Sequence, residues 1–364
     1  MHKTSIAIIS DSPAGYILSA HLEKAGKSVT LIDTGDCYHK ELSHKMVEIP
    51  LYPADKIIRT ALERINSLFS EPLSCNEREL LPLTIETGTI KPFVGFGDSK
   101  SAAVPILSKY NVARRLDLDT TLEKKISELA AQLNIKTHIY AELNTLELSC
   151  SRVEKIVING SQTIHADYFI FMNSPKELLR FLPNATWSSR VRSRITKSPC
   201  FAKVAIKLKH QLPHFDGQNL IFLTPNQSDQ DPCVGQFIQN IDAQGAHYES
   251  TWETYVQNDL SDDPEYISSV LRNMRKLIRR AFITLEEKLH ETIAVTPTAA
   301  GDYSWLLDQK ISTQLADNII IFPVLAAPYL GSAQCILSAQ ATLDQLLAYE
   351  LREALPRVRS NPRI

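Results

Sequence analysis

The chain has 364 residues, of which 44% are hydrophobic and 22% are charged, and its formal net charge is −2. This balance is typical of a soluble globular protein and excludes a disordered chain, a collagen-like repeat and a small disulfide-rich scaffold. The small net charge gives no overall field that would attract nucleic acid. The 12 glycines are about half of what the average usage of ~7% would give. Their positions are therefore informative.

Targeting and metal-binding signals are missing from the sequence. No apolar run approaches the ~20 residues of a membrane-spanning helix, so no transmembrane segment is expected. The first apolar stretch, Ile6–Ile9, is too short for a secretory signal, and we expect a cytoplasmic protein. The 6 cysteines are scattered without a C-x-x-C pair and the histidines lack ligand spacing. No metal is expected.

The strongest structural signal lies at the start of the chain. Ser5–Ser10 and Val29–Asp33 are short runs of residues that favour strands, and Pro13–Ala25 between them has apolar residues at helical spacing. Ser12 is suited to cap this helix, and Gly26 is suited to end it. A strand, a helix and a strand within about 30 residues predict a βαβ unit, which requires a parallel sheet.

Further elements follow in chain order. Helices are predicted at Lys56–Phe69, Leu122–Leu133, Lys176–Leu182, Asp263–Ala281 and Gln334–Leu351. Strands are predicted at Thr137–Tyr140, Leu143–Ser149, Val153–Ile158, Thr163–His165, Tyr168–Met172, Phe201–Leu208, Leu220–Leu223, Gly235–Ile241, Ser250–Tyr255, Leu289–Val295 and Asn318–Phe322, with a strand or turn at Ile90–Gly97. The basic cluster of Arg190, Arg192, Arg194 and Lys197 is predicted as a solvated loop, with contact to acidic ligand groups as the alternative.

This order predicts an α/β protein in which parallel-sheet units at both ends of the chain surround a β-rich block. We divide the chain into a βαβ unit at residues 1–50 and a first part of a substrate domain at 51–118. The chain then returns to the nucleotide-binding domain at 119–182 and enters the substrate domain again at 183–300. Residues 301–351 complete the nucleotide-binding domain, and 352–364 form a tail.

The order of elements resembles the superfamily of FAD-dependent amine oxidases, phytoene desaturases and protoporphyrinogen oxidases. The resemblance covers most of the chain. It rests on the opening βαβ unit, on Leu122–Leu182 with its His165–Ile170 strand and Ser174-Pro175, and on Asn318–Leu347. It implies a Rossmann-like FAD/NAD(P)-binding fold with an inserted β-rich α+β substrate domain. It also implies FAD as cofactor and oxidation of a C–N or C–C bond of a small or apolar substrate.

The resemblance also assigns cofactor-binding positions. The dinucleotide fingerprint G-x-G-x-x-G falls on Ser10–Gly15, where only the third glycine is kept, and the ribose-binding acid falls on Asp33. A solvated aspartate in a turn is the alternative interpretation of Asp33. The implied cofactor-binding residues are Ser10, Ser12, Gly15, Asp33, Gly331 and Ser332.

Four places depart from the family's pattern, and each loses a small or acidic group that would face the cofactor. The first two fingerprint glycines are Ser10 and Ser12, with Asp11 between them. A carboxylate beside a pyrophosphate costs of order 1–4 kcal/mol near a protein surface. The other departures are His39-Lys40 for a double glycine, Pro323-Val324 for Gly-Asp, and Cys335-Ile336 with Ala339-Gln340 for small residues of the last helix.

Two hypotheses about function follow. In the first, the FAD site is degenerate and the chain is a non-catalytic or repurposed protein that binds a small molecule or a protein partner. In the second, the chain is an active FAD-dependent oxidoreductase. The sequence assigns neither a catalytic residue nor an oligomeric state.

Overall fold

The computed structural model describes residues 5–34, 49, 51–86, 88–118, 122–149, 152–173, 175–181, 187–210, 219–226, 230–242, 245–282, 288–298, 318–321, 330 and 332–354. The helices are α1 (Ala14–Lys24), α2 (Lys56–Asn66), α3 (Val104–Leu107), α4 (Leu122–Gln132), α5 (Pro175–Phe181), α6 (Ser189–Lys197), α7 (Pro264–Ala281) and α8 (Ser332–Ala354). The strands are β1 (Ser5–Ser10), β2 (Ser28–Asp33), β3 (Cys75–Glu79), β4 (Leu83–Glu86), β5 (Thr89–Pro92), β6 (Arg114–Leu118), β7 (Lys136–His138), β8 (Leu143–Ser149), β9 (Arg152–Ile158), β10 (Gln162–Ile164), β11 (Tyr168–Phe171), β12 (Phe201–His210), β13 (Leu220–Leu223), β14 (Cys233–Asp242), β15 (Gly245–Gln257), β16 (Lys288–Thr298) and β17 (Ile319–Ile321).

A five-stranded parallel sheet contains the two strands of the predicted βαβ unit. Its strand order is β17-β11-β1-β2-β7, and every neighbouring pair runs parallel. The apolar run Ile6–Ile9 lies in the central strand and is fully buried. The prediction of an α/β fold with a Rossmann-type parallel sheet is therefore confirmed.

The two faces of this sheet are covered by different elements. On one face, apolar residues of β1, β2 and β11 pack against α1, α2, α4 and α8. On the other face, the alternate residues of the same strands pack against α5, α6 and the three-stranded antiparallel sheet β10-β9-β8. Because successive side chains of a strand point to opposite faces, a sheet covered on both sides needs continuous apolar strands such as Ile6–Ile9.

A second sheet of seven strands has the order β16-β12-β15-β14-β13-β4-β5. Helix α7 packs on one of its faces through an apolar stripe that includes Val270, Met274 and Leu277. Asp263 precedes this helix as its N-cap, and its carboxylate accepts hydrogen bonds from Glu265 N and Tyr266 N. Strands β4 and β5 come from residues 51–118, and β12–β16 come from residues 183–300. The division of the chain into domains stays a prediction.

The ends of α1 match the sequence prediction on one side only. The amide of Lys27 donates to the carbonyl of Leu22 around Gly26, which has a φ of 76°, so the predicted glycine end is confirmed. The predicted cap at Ser12 is wrong, because no side chain caps this helix. The carbonyl of Ser12 accepts from the amide of Gly15, and the helix begins after Pro13.

The prediction for one basic cluster is also wrong. The cluster Arg190–Lys197 forms helix α6 rather than a loop. Ser188 caps this helix by accepting from Val191 N at 3.3 Å, and Ile195 is buried in the core. The last helix, predicted at Gln334–Leu351, extends over Ser332–Ala354.

Candidate functional site

The candidate site lies at the carboxyl edge of the parallel sheet. Strand β1 ends at Ser10, β2 ends at Asp33, and Asn173 follows β11. Thr34 joins them, because its amide donates to the Ser10 carbonyl at 2.9 Å and its hydroxyl accepts from Asn173 Nδ2 at 2.7 Å. In open α/β sheets, ligands bind in the crevice outside this edge, where the strand order reverses direction. In this sheet the order reverses at β1.

Ser10 uses its hydroxyl inside the turn that replaces the fingerprint glycines. Its side chain is 1% exposed. Ser10 Oγ accepts from Ser12 N at 3.2 Å and donates to the Ser12 carbonyl at 3.0 Å. The backbone amide of Ser12, at the second fingerprint position, therefore already donates a hydrogen bond to the Ser10 side chain.

Gly15 holds α1 directly against β1. A Cβ at this position would lie 2.5 Å from Ser10 Cβ, closer than atoms can pack, and would make a tight contact of 3.2 Å with Leu31 Cδ1. This matches the helix–strand packing role of the third fingerprint glycine. The role of Gly15 in binding a cofactor stays a prediction.

Asp33 is 3% exposed, so its interpretation as a solvated turn aspartate is wrong. Its Oδ2 accepts a hydrogen bond of 2.7 Å from the hydroxyl of Tyr16, which lies one residue after Gly15 on α1. Burial, and then the bond to Asp33, raise the pKa of the Tyr16 hydroxyl well above its usual range. Tyr16 therefore stays protonated and remains the donor of this bond.

Tyr16 was not among the site residues predicted from the sequence. The local signal was a tyrosine in the first turn of a helix that must pack closely on the strand beside Asp33. That signal does not identify the partner of the hydroxyl.

Asp11 lies between the two serines and is partly buried. Burial, and next the negative charge of Glu177, raise the pKa of the Asp11 carboxyl from 3.8 to about 7. Asp33 adds a smaller increase, and a hydrogen bond from the backbone of Asp11 itself opposes these effects. About half of the Asp11 carboxyls are therefore ionised near neutral pH.

Asn173 connects this edge to helix α5. It is 8% exposed, and its Nδ2 donates to Glu177 Oε2 at 3.3 Å as well as to Thr34. Its Oδ1 is buried and has no hydrogen-bond partner among the described residues. Asn173 and Glu177 were not predicted from the sequence, since they lie far along the chain from Ser10 and match no motif.

Several predicted site residues cannot be placed. His39, Lys40, Ser174, Pro323, Val324 and Gly331 lie outside the described residues. Ser332 is the first residue of α8. Ile336 and Ala339 of the same helix are buried in the core that α8 shares with α1. Gln340 Nε2 donates to Asp344 Oδ1 along the helix.

In the described part of the chain, no group of three or more His, Cys, Asp or Glu residues is arranged to hold a metal ion. None of the described helices combines the length and the apolar character needed to cross a membrane.

Comparisons with known proteins show which solved structures share this fold. No protein-family model matches the sequence, and no curated protein matches it. The fold is similar to that of an oxidoreductase from Methanosarcina mazei, with a TM-score of 0.60 and 11% identity over 94% of this chain and 100% of that chain. It is also similar to the A394C mutant of putrescine oxidase, with a TM-score of 0.62 and 12% identity over 95% of this chain and 100% of that chain.

A third similar structure is that of a protein named as an FAD-containing monooxygenase, from Photorhabdus luminescens. Its TM-score is 0.56 and its identity 12%, over 97% of this chain and 90% of that chain. The similarities extend over both sheets, as the sequence resemblance implied. The chain therefore has a Rossmann-type α/β fold that it shares with these three proteins.

Proposed function

We propose that this chain keeps the fold of the amine oxidase-like flavoproteins but does not bind FAD in their usual pose. It serves as a non-catalytic or repurposed protein that binds a small molecule or a protein partner. The observation that carries this proposal is the hydrogen bond between Tyr16 and Asp33, because it occupies one oxygen of the buried carboxylate that would hold the adenosine ribose.

Asp33 is buried, and its Oδ2 already accepts a hydrogen bond from the buried Tyr16 hydroxyl. A carboxylate can accept several hydrogen bonds, so a ribose hydroxyl would share Asp33 with Tyr16 or displace it. Displacement would cost the Tyr16 bond, which contributes about 1.5–3 kcal/mol because its acceptor is charged. Either route makes Asp33 a weaker ribose site than a carboxylate that is open to the ligand.

The charge of the crevice supports the same proposal. A pyrophosphate beside the Ser10–Gly15 turn would meet Asp11 and the nearby Glu177. It would find the Ser12 amide already bonded to Ser10. Each nearby carboxylate opposes an anion by of order 1–4 kcal/mol at near-surface dielectric. The described residues of this turn therefore do not fit a pyrophosphate.

The alternative is an active FAD-dependent oxidoreductase that oxidises a C–N or C–C bond. The observation in its favour is that the similarity to oxidoreductases extends over nearly the whole chain. In that case Ser10, Ser12, Gly15, Asp33, Gly331 and Ser332 would hold FAD, and the flavin would supply the hydride-accepting chemistry.

The visible absorption spectrum of the purified protein separates the two functions. We expect a colourless protein that releases no flavin when it is denatured and centrifuged. Flavin absorption bands, with FAD recovered in the supernatant in near-stoichiometric amount, would overturn the proposal. The same measurement on protein purified in the presence of added FAD tests whether the cofactor was only lost during purification.

A further inference from the structure

The second half of helix α7 carries a run of cations on its solvent-facing side. These five residues are Arg272, Arg275, Lys276, Arg279 and Arg280. The sequence from Ile267 to Phe282 contains no aspartate or glutamate. Like charges three or four positions apart are neighbours on a helix and destabilise it. The helix dipole favours cations only in the last turn, so the stability of α7 does not explain this whole run.

Four of these cations line a recess on the surface of α7. Its volume is about 530 Å³, within the roughly 300–1,000 Å³ that is typical of small-molecule sites. The described residues that line it are Ser268, Leu271, Arg272, Arg275, Lys276 and Arg279. No carboxylate is among these residues, so the recess combines the size of a ligand site with positive charge.

Most of the charge in the recess has no counter-ion within the described residues. Arg275 Nε donates to Glu291 Oε1 of β16 at 2.8 Å, so this guanidinium is compensated. Arg272, Lys276 and Arg279 are exposed and form no ion pair in the described part of the chain. Three positive charges are therefore available to an anion from solvent.

The spacing of these three cations favours a ligand with negative charge at both ends. Arg272 and Arg279 are seven positions apart, which is about 10 Å along a helix, and Lys276 lies between them on the same side. A guanidinium can bind two oxygens of one phosphate, and an ammonium adds a point charge. A phosphate monoester carries about −1.5 to −2 charge at pH 7, so two of them compensate three cations.

We propose that this recess binds a small molecule with two phosphate monoester groups, one held by Arg272 and the other by Arg279. Lys276 supplies charge between them. The pyrophosphate of FAD contains no phosphate monoester, so FAD is not a ligand of this class. The recess lies on a helix of the second sheet and shares no residue with the crevice of the parallel sheet. The inference therefore goes beyond the proposed function and does not depend on it.

Isothermal titration calorimetry with fructose 1,6-bisphosphate tests the proposal. Fructose 6-phosphate is the matched ligand with one phosphate, and fructose is the matched ligand with none. We expect one saturable site for the bisphosphate, binding of the monophosphate that is weaker by about tenfold or more, and no binding of fructose. Because exposed charges make the contacts, the affinity should fall as the NaCl concentration is raised.

Substitutions on α7 test the two arginines separately. R272Q and R279Q should each weaken binding of the bisphosphate by about tenfold or more. R280Q is the matched control, because it removes the same charge from the same helix. Arg280 lies outside the recess, and its guanidinium donates to Asn226 Oδ1 and to the Thr224 carbonyl. R280Q should change the affinity by less than about twofold. Circular dichroism checks that each variant is folded.

Four results would overturn the inference. The bisphosphate shows no saturable binding, or fructose 6-phosphate binds as tightly as the bisphosphate does. R280Q weakens binding as much as R279Q, which would indicate attraction to the general charge of the helix. The fourth result comes from co-sedimentation with vesicles that contain phosphatidylinositol 4,5-bisphosphate. Binding to these vesicles without binding of the soluble sugar would assign the cations to a membrane surface instead.

Discussion

The interior of the βαβ unit and its carboxyl edge are adjacent in the chain. The interior retains the residues that pack the helix on the strand, whereas the edge lacks the glycines that the resembling family uses to bind a nucleotide. In the interior, Ile6–Ile9 is buried and Gly15 allows α1 to contact β1. At the edge, Ser10 and Ser12 replace glycines, and neither has a positive φ. The backbone therefore requires glycine at position 15 for packing, but at positions 10 and 12 only a nucleotide would require it. Packing thus constrains position 15 and nucleotide binding would constrain positions 10 and 12, so one constraint can be lost while the other is kept.

The largest effect should come from breaking the interior contact. Gly15→Ala should destabilise the protein by about 2–3 kcal/mol, because the new Cβ overlaps with Ser10 Cβ and overpacks the interface. Urea denaturation measures this change. In a Ser10→Gly background the same substitution should cost much less, since the overlapping atoms are gone. Equal costs in both backgrounds would show that this contact does not explain Gly15.

Gly26→Ala is the control for backbone strain. Gly26 has a φ of 76° and open space around it. Its replacement should cost about 1 kcal/mol through conformation alone. A larger cost than that of Gly15→Ala would reverse the expected order of the two sites.

At the edge, the Tyr16–Asp33 bond should give the next largest effect. Tyr16→Phe leaves the buried Asp33 without this donor and should lower the free energy of unfolding by about 2 kcal/mol in urea denaturation. Tyr266→Phe, at a partly buried tyrosine whose hydroxyl bonds to none of the described residues, should change the free energy of unfolding by less than about 0.5 kcal/mol. If the two variants lose the same stability, the bond does not stabilise the edge.

Asp11 should make stability depend on pH in a defined direction. The pKa of its carboxyl is about 7 in the folded protein and about 3.9 in an unfolded chain, so the folded state binds the extra proton between these values. The contribution of Asp11 to stability therefore falls as pH rises from about 4 to 7. Asp11→Asn should stabilise the protein by about 1–2 kcal/mol at pH 8 and change little at pH 4.

Urea denaturation at both pH values measures this difference. Asp98→Asn, at an exposed aspartate, should show no such dependence on pH. An Asp11→Asn variant that is less stable at pH 8 than at pH 4, relative to the unsubstituted protein, would contradict the assigned burial of this carboxyl.

The smallest effect, here on FAD binding, is expected from restoring the two missing glycines of the dinucleotide fingerprint. Ser10→Gly combined with Ser12→Gly should recover little FAD binding in a titration followed by flavin fluorescence. The Asp11 carboxylate would still repel the phosphates, and the Tyr16 hydroxyl would still be hydrogen-bonded to Asp33. Tight FAD binding after these two changes alone would show that the serines were the main obstacle and that the other two sites matter little.

The sequence predicted the elements that depend on local patterns. The strand–helix–strand order and the buried run Ile6–Ile9 follow from periodicity and from Gly26. Helix α6 was missed because its buried stripe is short and lies among basic residues. The four cofactor-facing departures were visible in the sequence, but only part of the region they occupy lies within the described residues.

The partners of the candidate site were not predictable, because they depend on tertiary contacts. Tyr16 reaches Asp33 only after α1 packs on the sheet, and Asn173 joins Thr34 across 139 positions of sequence. Glu177 belongs to α5, which follows β11 in the chain, and it is not part of any sequence motif. Such pairings leave no local pattern.

Thermal unfolding with added FAD tests the central claim, that the nucleotide crevice is closed by the protein's own side chains. A ligand that binds only the folded state must raise the melting temperature as its concentration increases. We predict no increase in Tm for the unsubstituted protein as FAD is raised far above the protein concentration. A Tm that climbs steadily with the logarithm of FAD concentration would contradict the account.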